Sequence, residues 1–426
     1  MLQRFKKLKI VKSFLLLKGN TKVSVMCEPL WGIPFTIFNF YLSLYMKEMG
    51  VTDEQLGIII AAGFLSAAFF SLFGGIITDY LGRKRTAFIF DFLAWPTSIF
   101  IYLISRSLIM FILATVINNL VKIVTVAWNL MVIEDADSDQ RIAAFNLLNI
   151  INISLGILTP LAGLVVAKYG IIKAERTFMI FAIISMTAMI IIRDINYTET
   201  KVGKQILEEH KGLAFKDVLK KGLYGGTITQ LRNNSRLKIA FLVQVLFNLT
   251  LPLGAFNSMY FAPFMTGQLG IDKAAVSILG GVYAGVMLLV FLFITPVISR
   301  KHMSASILTG LFLQAVALIG ITAVPEGIIF FAILAVALYS FGYGIFIPFF
   351  STLIADISEG RDRAGIYSLV NTVTAVLSAL IGLGSGFLYA AAPRFIFYLT
   401  ALLLGLSIIA MFVLIADDKK QRTKEA

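Results

Sequence analysis

The feature that most constrains this chain is a series of apolar runs, each too long for the core of a soluble domain. They fall at about 23–46, 54–78, 86–105, 108–133, 142–167, 176–192, 238–265, 274–298, 304–323, 327–355, 364–390 and 395–415. Each approaches or exceeds the roughly 20 residues that a helix needs to cross a hydrocarbon layer. A helix satisfies its backbone N–H and C=O groups within its own segment, which lipid demands. None of the runs shows the period-2 alternation of a membrane barrel. Composition agrees, with 58% hydrophobic and only 14% charged residues, where a soluble domain carries about 25% charged. An ordinary soluble enzyme and a disordered chain are both excluded. The expectation is an all-α, multi-pass membrane protein of twelve transmembrane helices.

The charges orient those spans. The net charge is +13, from 37 Lys and Arg against 24 Asp and Glu. These cations lie between the apolar runs rather than on a soluble face, so they point to membrane topology and not to nucleic acid. If the tails and the loops after even-numbered spans share one side, the other side holds seven: Lys47, Arg106, Lys168, Lys173, Arg176, Lys273 and Arg394. Lys122 lies inside a span, and the remaining 29 fall on the first side. The rule that cytoplasmic loops are basic then puts both termini in the cytoplasm of a cell-membrane protein. The apolar stretch Phe14–Leu17 is too short for a cleavable signal.

Cysteine and histidine exclude other chemistry. Cys27 is the one cysteine, and His210 and His302 sit in expected loops, so neither a disulfide framework nor a metal site is expected. No nucleotide-binding motif and no nucleophile–base pattern stands out. Gly382, Gly384 and Gly386 lie inside an apolar span with no strand before them, which favours close helix packing over a phosphate loop. No cofactor, no catalytic residue and no enzymatic activity is expected.

The longest polar stretch divides the chain. The expected organisation is a basic N-terminal segment (1–22), a six-helix bundle (23–192), a central cytoplasmic loop (193–237), a second six-helix bundle (238–415) and a short tail (416–426). Phe215, Val218, Leu219 and Leu223 among Lys216, Lys220 and Lys221 read as an amphipathic helix on the membrane surface. Leu2, Phe5 and Leu8 among Arg4, Lys6, Lys7, Lys9 and Lys12 read the same way. Both serve as basic tethers in the simpler reading and as lipid sensors in the other. An internal repeat supports the two halves: Ile133-Glu134-Asp135 with Arg141 and Phe145 after span 4, and Ile354-Ala355-Asp356 with Arg363 and Tyr367 after span 10.

The most specific string is Gly75-Ile-Ile-Thr-Asp79-Tyr-Leu-Gly82-Arg83-Lys84-Arg85 between spans 2 and 3. Its glycines permit a tight turn and close contact, and Asp79 at a membrane boundary needs a partner or a helix N-terminus. Arg83 and Asp135 are expected to form an ionic clasp that one conformation makes and another releases. The string resembles the loop signature of the major facilitator superfamily, with Tyr80 where that family usually has Arg. The second-half counterpart, Thr295-Pro296-Val-Ile-Ser299-Arg300-Lys301, keeps only the basic residues. The resemblance implies two pseudo-symmetric six-helix bundles that rock around a central cavity. It also implies that Asp79, Gly82 and Arg83 close the cytoplasmic side by meeting the start of span 11 near Arg363–Gly365. Lys84 and Arg85 serve topology alone. In span 5, Gly156-Ile-Leu-Thr-Pro160-Leu-Ala-Gly163 is partly similar to the Gly-Pro motif of proton-driven exporters in that superfamily. A proline kink with small packing residues is the other account.

The resemblance also implies that spans 1, 4, 7 and 10 line the cavity, with spans 2, 5, 8 and 11 beside them. Polar groups inside those spans are therefore candidates. Span 4 carries Asn118, Lys122, Thr125 and Asn129 on one helical stripe. Lys122 is either an anchor for an anionic solute or half of an ion pair with Glu28 or Asp91. Span 1 offers Glu28, Trp31 and Asn39. Glu28 is either a proton-coupling carboxylate or one neutralised by Lys22 or Lys122, and Asp91 on span 3 is read as a structural hydrogen-bonding group. Asn149 and Asn152, with Asn146, lie on span 5; Gln244 and Asn248 on span 7; Tyr339 and Tyr343 on span 10; Asn371 on span 11. The expected function is secondary active transport of a small organic solute by alternating access, as proton-coupled efflux. Uptake of a sugar or organic anion is the alternative; a lipid-acting membrane enzyme would need a cluster of His, Asp or Ser near one membrane face, which is not seen, and a channel would not need the loop signature or the internal duplication. The expected partners are the solute, protons and lipid, with no nucleic acid, and the protein is expected to be a monomer.

Overall fold

The computed structural model describes residues 14–211, 235–299, 302–357 and 363–425, with the side chains at 138, 355, 356, 363–369 and 418–425 left outside the description. The described residues are helical, with no strand among them. The first half contains α1 (Gly19–Glu48), α2 (Asp53–Leu81) and α3 (Arg83–Phe92, continued through a π turn Leu93–Thr97 to Ser98–Ile104). It continues with α4 (Leu108–Asn118 and Val121–Ile133), α5 (Ser138–Leu155 and Thr159–Tyr169), α6 (Ile171–Asn196) and the short α7 (Lys201–Glu209). The second half contains α8 (Ser235–Asn248), α9 (Phe261–Gly267), α10 (Val276–Leu289, with a π and a 3-10 turn to Val297) and α11 (Met303–Thr322). It ends with α12 (Ile329–Ile357), α13 (Arg363–Ala391) and α14 (Phe395–Glu425).

Ten of the described helices are long and apolar enough to cross a membrane: α2–α6 and α10–α14. The two expected spans outside that set have identifiable reasons. α1 is ~45 Å long by its 30 residues, but its apolar character is diluted by polar side chains, and Pro29 and Pro34 lie inside it. The expected seventh span, 238–265, is not one helix. α8 stops at Asn248, turns occupy 249–260, and α9 resumes at Phe261. Pro252 has no N–H to continue a helical ladder, and the freed groups find local partners. Thr250 N–H donates to Phe247 O at 3.1 Å, and Gly254 N–H donates to Thr400 Oγ1 of α14 at 2.8 Å.

The chain forms two compact units that interleave along the sequence. One gathers segments within Met1–Asn39, Ser66–Leu155 and Lys173–Leu223; the other gathers Phe40–Leu65, Gly156–Ile172 and Tyr224–Ala426. α1, α2 and α5 therefore each contribute residues to both. Large apolar side chains such as Ile109, Leu164 and Val297 remain on the outer surface. That is the pattern for helices whose outer solvent is lipid, where an apolar exterior carries no penalty.

Within the second unit, backbones approach closely at glycines. A Cβ built on Gly57 of α2 would lie 2.7 Å from Gly382 O and 2.9 Å from Gly386 N of α13. Gly382 and Gly386 thus serve helix contact, while Gly384 of the same triplet meets nothing within 4 Å. The Gly156–Gly163 segment is a helix interruption, a 3-10 turn Gly156–Leu158 followed by a restart at Thr159-Pro160. It packs on α10, where a Cβ on Gly281 would lie 2.6 Å from the Pro160 ring. At the end of this unit reached by α1, Lys273 pairs with Glu48 and Lys47 pairs with Asp53 while lying over the Tyr389 ring. Tyr41 Oη donates to Lys273 O at 3.1 Å.

The side chains expected to form surface helices at 2–12 and 215–223 lie outside the described residues, as do Arg300, Lys301 and the side chains of Asp356 and Arg363. The Gly57 contact is testable. Gly57→Ala places a Cβ against a carbonyl oxygen and is expected to lower stability by about 1–3 kcal/mol. Gly384→Ala is expected to be neutral or stabilising by up to about 1 kcal/mol, because it meets open space and reduces unfolded-state freedom. Thermal unfolding of the purified variants in detergent separates the two.

Candidate functional site

The loop signature folds into a charge cluster inside the first unit. α2 ends at Leu81, Gly82 turns with φ +87°, and α3 begins at Arg83. Glycine is required there twice over: that φ is unfavourable to L side chains, and a Cβ would lie 2.7 Å from Glu199 Oε2. The Glu199 carboxylate accepts from the backbone N–H groups of Arg83 and Lys84 at 3.1 and 3.0 Å, capping the N-terminus of α3. The Arg83 side chain is buried. It donates to Asp79 Oδ1 at 3.0 Å and makes a two-pronged contact with Glu134 at 3.0 and 3.1 Å.

The expected Arg83–Asp135 clasp is therefore corrected by one residue. Glu134 closes α4 facing inward, and Asp135, a further ~100° round the helix, is exposed and accepts from the Lys201 N–H at 3.2 Å. Arg141, the basic member of the repeat after span 4, donates from its Nε to Ile133 O at 2.9 Å, capping the end of α4. The central loop completes the cluster. Thr200 Oγ1 donates to Glu134 and accepts from the Gly203 N–H at the start of α7, and Lys84 lies 3.7 Å from Asp194.

A second cluster lies deeper in the same unit, around a cavity of about 240 Å³. α1 presents Glu28 and Trp31, one turn apart. α3 presents Asp91 and Trp95, with Trp95 inside the π turn Leu93–Thr97 that adds a residue to the helix. α4 contributes Val121, Val124, Thr125 and Trp128, α5 contributes Asn152, and α6 contributes Arg193. Arg193 Nη2 lies 3.5 Å from Glu28 Oε2, and Nη1 lies 3.6 Å from Asp91 Oδ2. Its guanidinium carbon sits 6.0 Å from the Trp128 ring centroid. All three charged groups are buried, at 5%, 3% and 6% exposure for Glu28, Asp91 and Arg193. Trp31 stacks on Phe35 at 4.8 Å and meets Trp95 edge-on at 5.4 Å.

This arrangement corrects the charge assignments made from sequence. Lys122 pairs with neither Glu28 nor Asp91, and neither Lys22 nor Lys122 neutralises Glu28; Arg193 engages both acids. Asp91 is accordingly an ion-pair member rather than a simple hydrogen-bonding group. Arg193 belongs to α6, which continues past residue 192 to Asn196, rather than to a cytoplasmic loop. The signal was present in the spacing: Met186, Ile190, Arg193 and Tyr197 share one buried stripe. Glu175, expected outside the sixth span, is likewise fully buried in α6, and its carboxylate oxygens have no hydrogen-bond partner among the described residues.

The span-4 stripe also breaks. α4 turns at Asn119–Leu120, between Asn118 and the other members of the stripe. Asn118 Nδ2 donates to Ala94 O at 2.8 Å and to Ser98 Oγ at 3.3 Å, holding α3 rather than lining the cavity. Thr125 lines the cavity, whereas Lys122 is exposed and outside its lining. Asn39, Asn129 and Asn149 line none of the three cavities described here.

In the second unit, Gln244, Asn248, Tyr339 and Tyr343 come together around a cavity of about 140 Å³. Gln244 also lines a neighbouring cavity of about 330 Å³ with Asn371. Tyr283, which sequence reasoning missed, stands 6.4 and 6.1 Å from the Tyr339 and Tyr343 rings and stacks on Phe256 at 4.2 Å. No group of acids, histidines and cysteines among the described residues is arranged to hold a metal.

Comparison with known proteins completes the description. The family model for the Major Facilitator Superfamily matches residues 31–254 and 245–426. The Quinolone resistance protein NorA of Staphylococcus aureus is 28% identical over 104 residues, which is 22% of this chain and 26% of that protein. The chain thus spans about a quarter of the length of these curated relatives. Among solved structures, the inward-open xylose transporter XylE from E. coli aligns with TM-score 0.66 at 13% identity, covering 91% of this chain and 94% of that one. The POT family transporter PepTSo aligns with TM-score 0.68 at 12% identity, covering 94% and 98%. The human organic anion transporter MFSD10 aligns with TM-score 0.56 at 17% identity, covering 94% and 98%. At these identities the likenesses speak for the fold.

The corrected clasp makes a direct prediction. Glu134→Ala removes the two-pronged partner of a buried guanidinium, leaving it Asp79 alone, and is expected to cost about 1–3 kcal/mol, whereas the exposed Asp135→Ala is expected to cost under about 1 kcal/mol. Paired melting curves of the two variants check the assignment; equal losses would return Asp135 to the clasp.

Proposed function

The chain belongs to the Major Facilitator Superfamily, and from that membership we propose that it is a secondary transporter of a small organic solute, an exporter driven by protons. It works by alternating access, as a monomer in the cell membrane with both termini in the cytoplasm. Two six-helix halves, joined by the segment between α6 and α8, provide the moving parts. The observation that carries the reading is the buried Glu28–Arg193–Asp91 cluster at the wall of a cavity. Ionisable groups at such depth are expensive and mark solute or proton paths. Glu28, or the pair it forms with Asp91 around Arg193, is the proton-coupling site. The outward direction is supported by the match to a quinolone resistance protein and by the partial Gly-Pro motif of α5. Asp79, Gly82 and Arg83 act as the gate, with Glu134 and the central loop holding Arg83 when it is engaged.

A second reading, transport of an organic anion with Lys122 as its anchor, rests on that lysine's lack of an acidic partner among the described residues.

Transport by purified protein in proteoliposomes tests the first reading, with a fluorescent quinolone and a panel of organic cations and anions as probes. Counterflow of at least one probe is expected. An imposed pH gradient should drive its accumulation, and Glu28→Gln should reduce that accumulation about tenfold, as a ~1.4 kcal/mol loss would. Absence of counterflow for every probe would remove the carrier reading. Accumulation unaffected by a protonophore would remove proton coupling.

A further inference from the structure

We infer that the cavity bounded by Glu28, Asp91 and Arg193 takes a small aromatic organic cation of single charge in exchange for one proton. The inference deepens the transporter reading and rests on it for the direction of exchange. Its first support is charge balance. Two carboxylates, from α1 and α3, share one guanidinium from α6. The other titratable groups around them are Cys27 of α1 and Tyr197 of α6, both neutral when protonated; α4 and α5 face the cavity with Trp128, Thr125 and Asn152. Lys122 is not among the lining residues. Ionised, the cluster therefore carries one uncompensated negative charge, which a membrane interior does not tolerate without a partner. A proton on one carboxyl group or a monocation in the cavity each restores neutrality. The two are mutually exclusive occupants, so loading the cation sends the proton to water, and reloading the proton expels the cation.

The second support is the lining. The chain has three tryptophans, and Trp31, Trp95 and Trp128 all border this one cavity. Indole presents the strongest ring face for a cation, and Trp128 already lies against the guanidinium of Arg193 at 6.0 Å. The volume of about 240 Å³ lies below the roughly 300–1,000 Å³ of drug-sized pockets. It therefore suits one aromatic ring with a compact cationic head. An anion would add to the existing excess of negative charge, and a neutral ring would leave that excess to the proton.

Because every tryptophan borders the cavity, intrinsic fluorescence of the full-length protein in detergent reports its occupancy. Phenyltrimethylammonium is the probe, since a quaternary cation has no proton of its own to release; tert-butylbenzene is its neutral isostere, and benzenesulfonate is the anion. Phenyltrimethylammonium is expected to change tryptophan emission saturably. In weakly buffered solution an indicator dye should record about one proton released per cation bound, and affinity should fall about tenfold per pH unit on the acid side of the site's titration. The neutral isostere should bind at least about tenfold more weakly, and benzenesulfonate should not perturb emission. Trp128→Leu should weaken the cation while keeping the proton count, and Glu28→Gln should abolish proton release. If Glu28→Gln fails to fold, the proton count on the native protein decides alone. Binding without proton release, equal binding of tert-butylbenzene, preference for benzenesulfonate, or no response to the cation would each overturn the inference. None of these outcomes bears on counterflow of other solutes, so the transporter reading would fail separately, on the proteoliposome result.

Discussion

A charge inside lipid has no water to turn to, so it must find its counter-charge within the protein. Arg193 and Arg83 show the two ways this chain meets that demand. Arg83, at the junction of α2 and α3, is surrounded by more negative charge than it carries: Asp79, Glu134 and the Glu199 carboxylate at its backbone. Arg193, deeper in the same unit, lies between two acids at longer range, 3.5 and 3.6 Å. The first cluster is tied by several short hydrogen bonds and by the cap of α7. The second is looser and borders a cavity. A close, multiply bonded cluster holds helices together; a loose one beside open space leaves its carboxylates available to a proton or a ligand.

Several helices depart from regular geometry. α3 widens into a π turn around Pro96 that includes Trp95; α4 breaks at Asn119–Leu120; α5 passes through a 3-10 turn before Pro160; α8 gives way to turns before α9. Each departure frees backbone groups that lipid would penalise, and those described here are met by short-range bonds or neighbouring side chains. Elsewhere the bundle relies on close backbone approach, as at Gly57 against Gly382 and Gly386. With lipid as apolar as leucine, such packing supplies much of what hydrophobic burial supplies in water.

Much of the architecture was legible in the sequence because it follows from quantities a sequence carries directly: the length of apolar runs, the distribution of Lys and Arg, and the loop string from Gly75 to Arg85. Those fixed the all-helical membrane class and the family. The site was legible only in part. Glu28, Trp31, Asn152, Gln244, Asn248, Tyr339, Tyr343 and Asn371 do border cavities, and for the charged and amide groups the reason is that a polar side chain in a span seldom faces lipid. Asn118 was misjudged because its amide is used in holding α3, and the ion pair expected of Lys122 was misjudged because spacing does not show which cation reaches Glu28 and Asp91. Arg193 and Glu175 were missed because an arginine or glutamate near the end of an apolar run looks like the start of a loop.

The sequence by itself determined that this chain must be a bundle of membrane helices, because apolar runs of that length without the alternation of a barrel strand satisfy their backbone in lipid as helices. It also determined which residues are too polar to be there without a reason. Only the tertiary structure decided which of those residues meet: that Glu134 and not Asp135 receives Arg83, and that Arg193 rather than Lys122 stands between Glu28 and Asp91. The physical reason is one of phase. A single residue turns a side chain by ~100° around a helix, and each π turn, break or extension resets that phase by an amount that composition and spacing do not record.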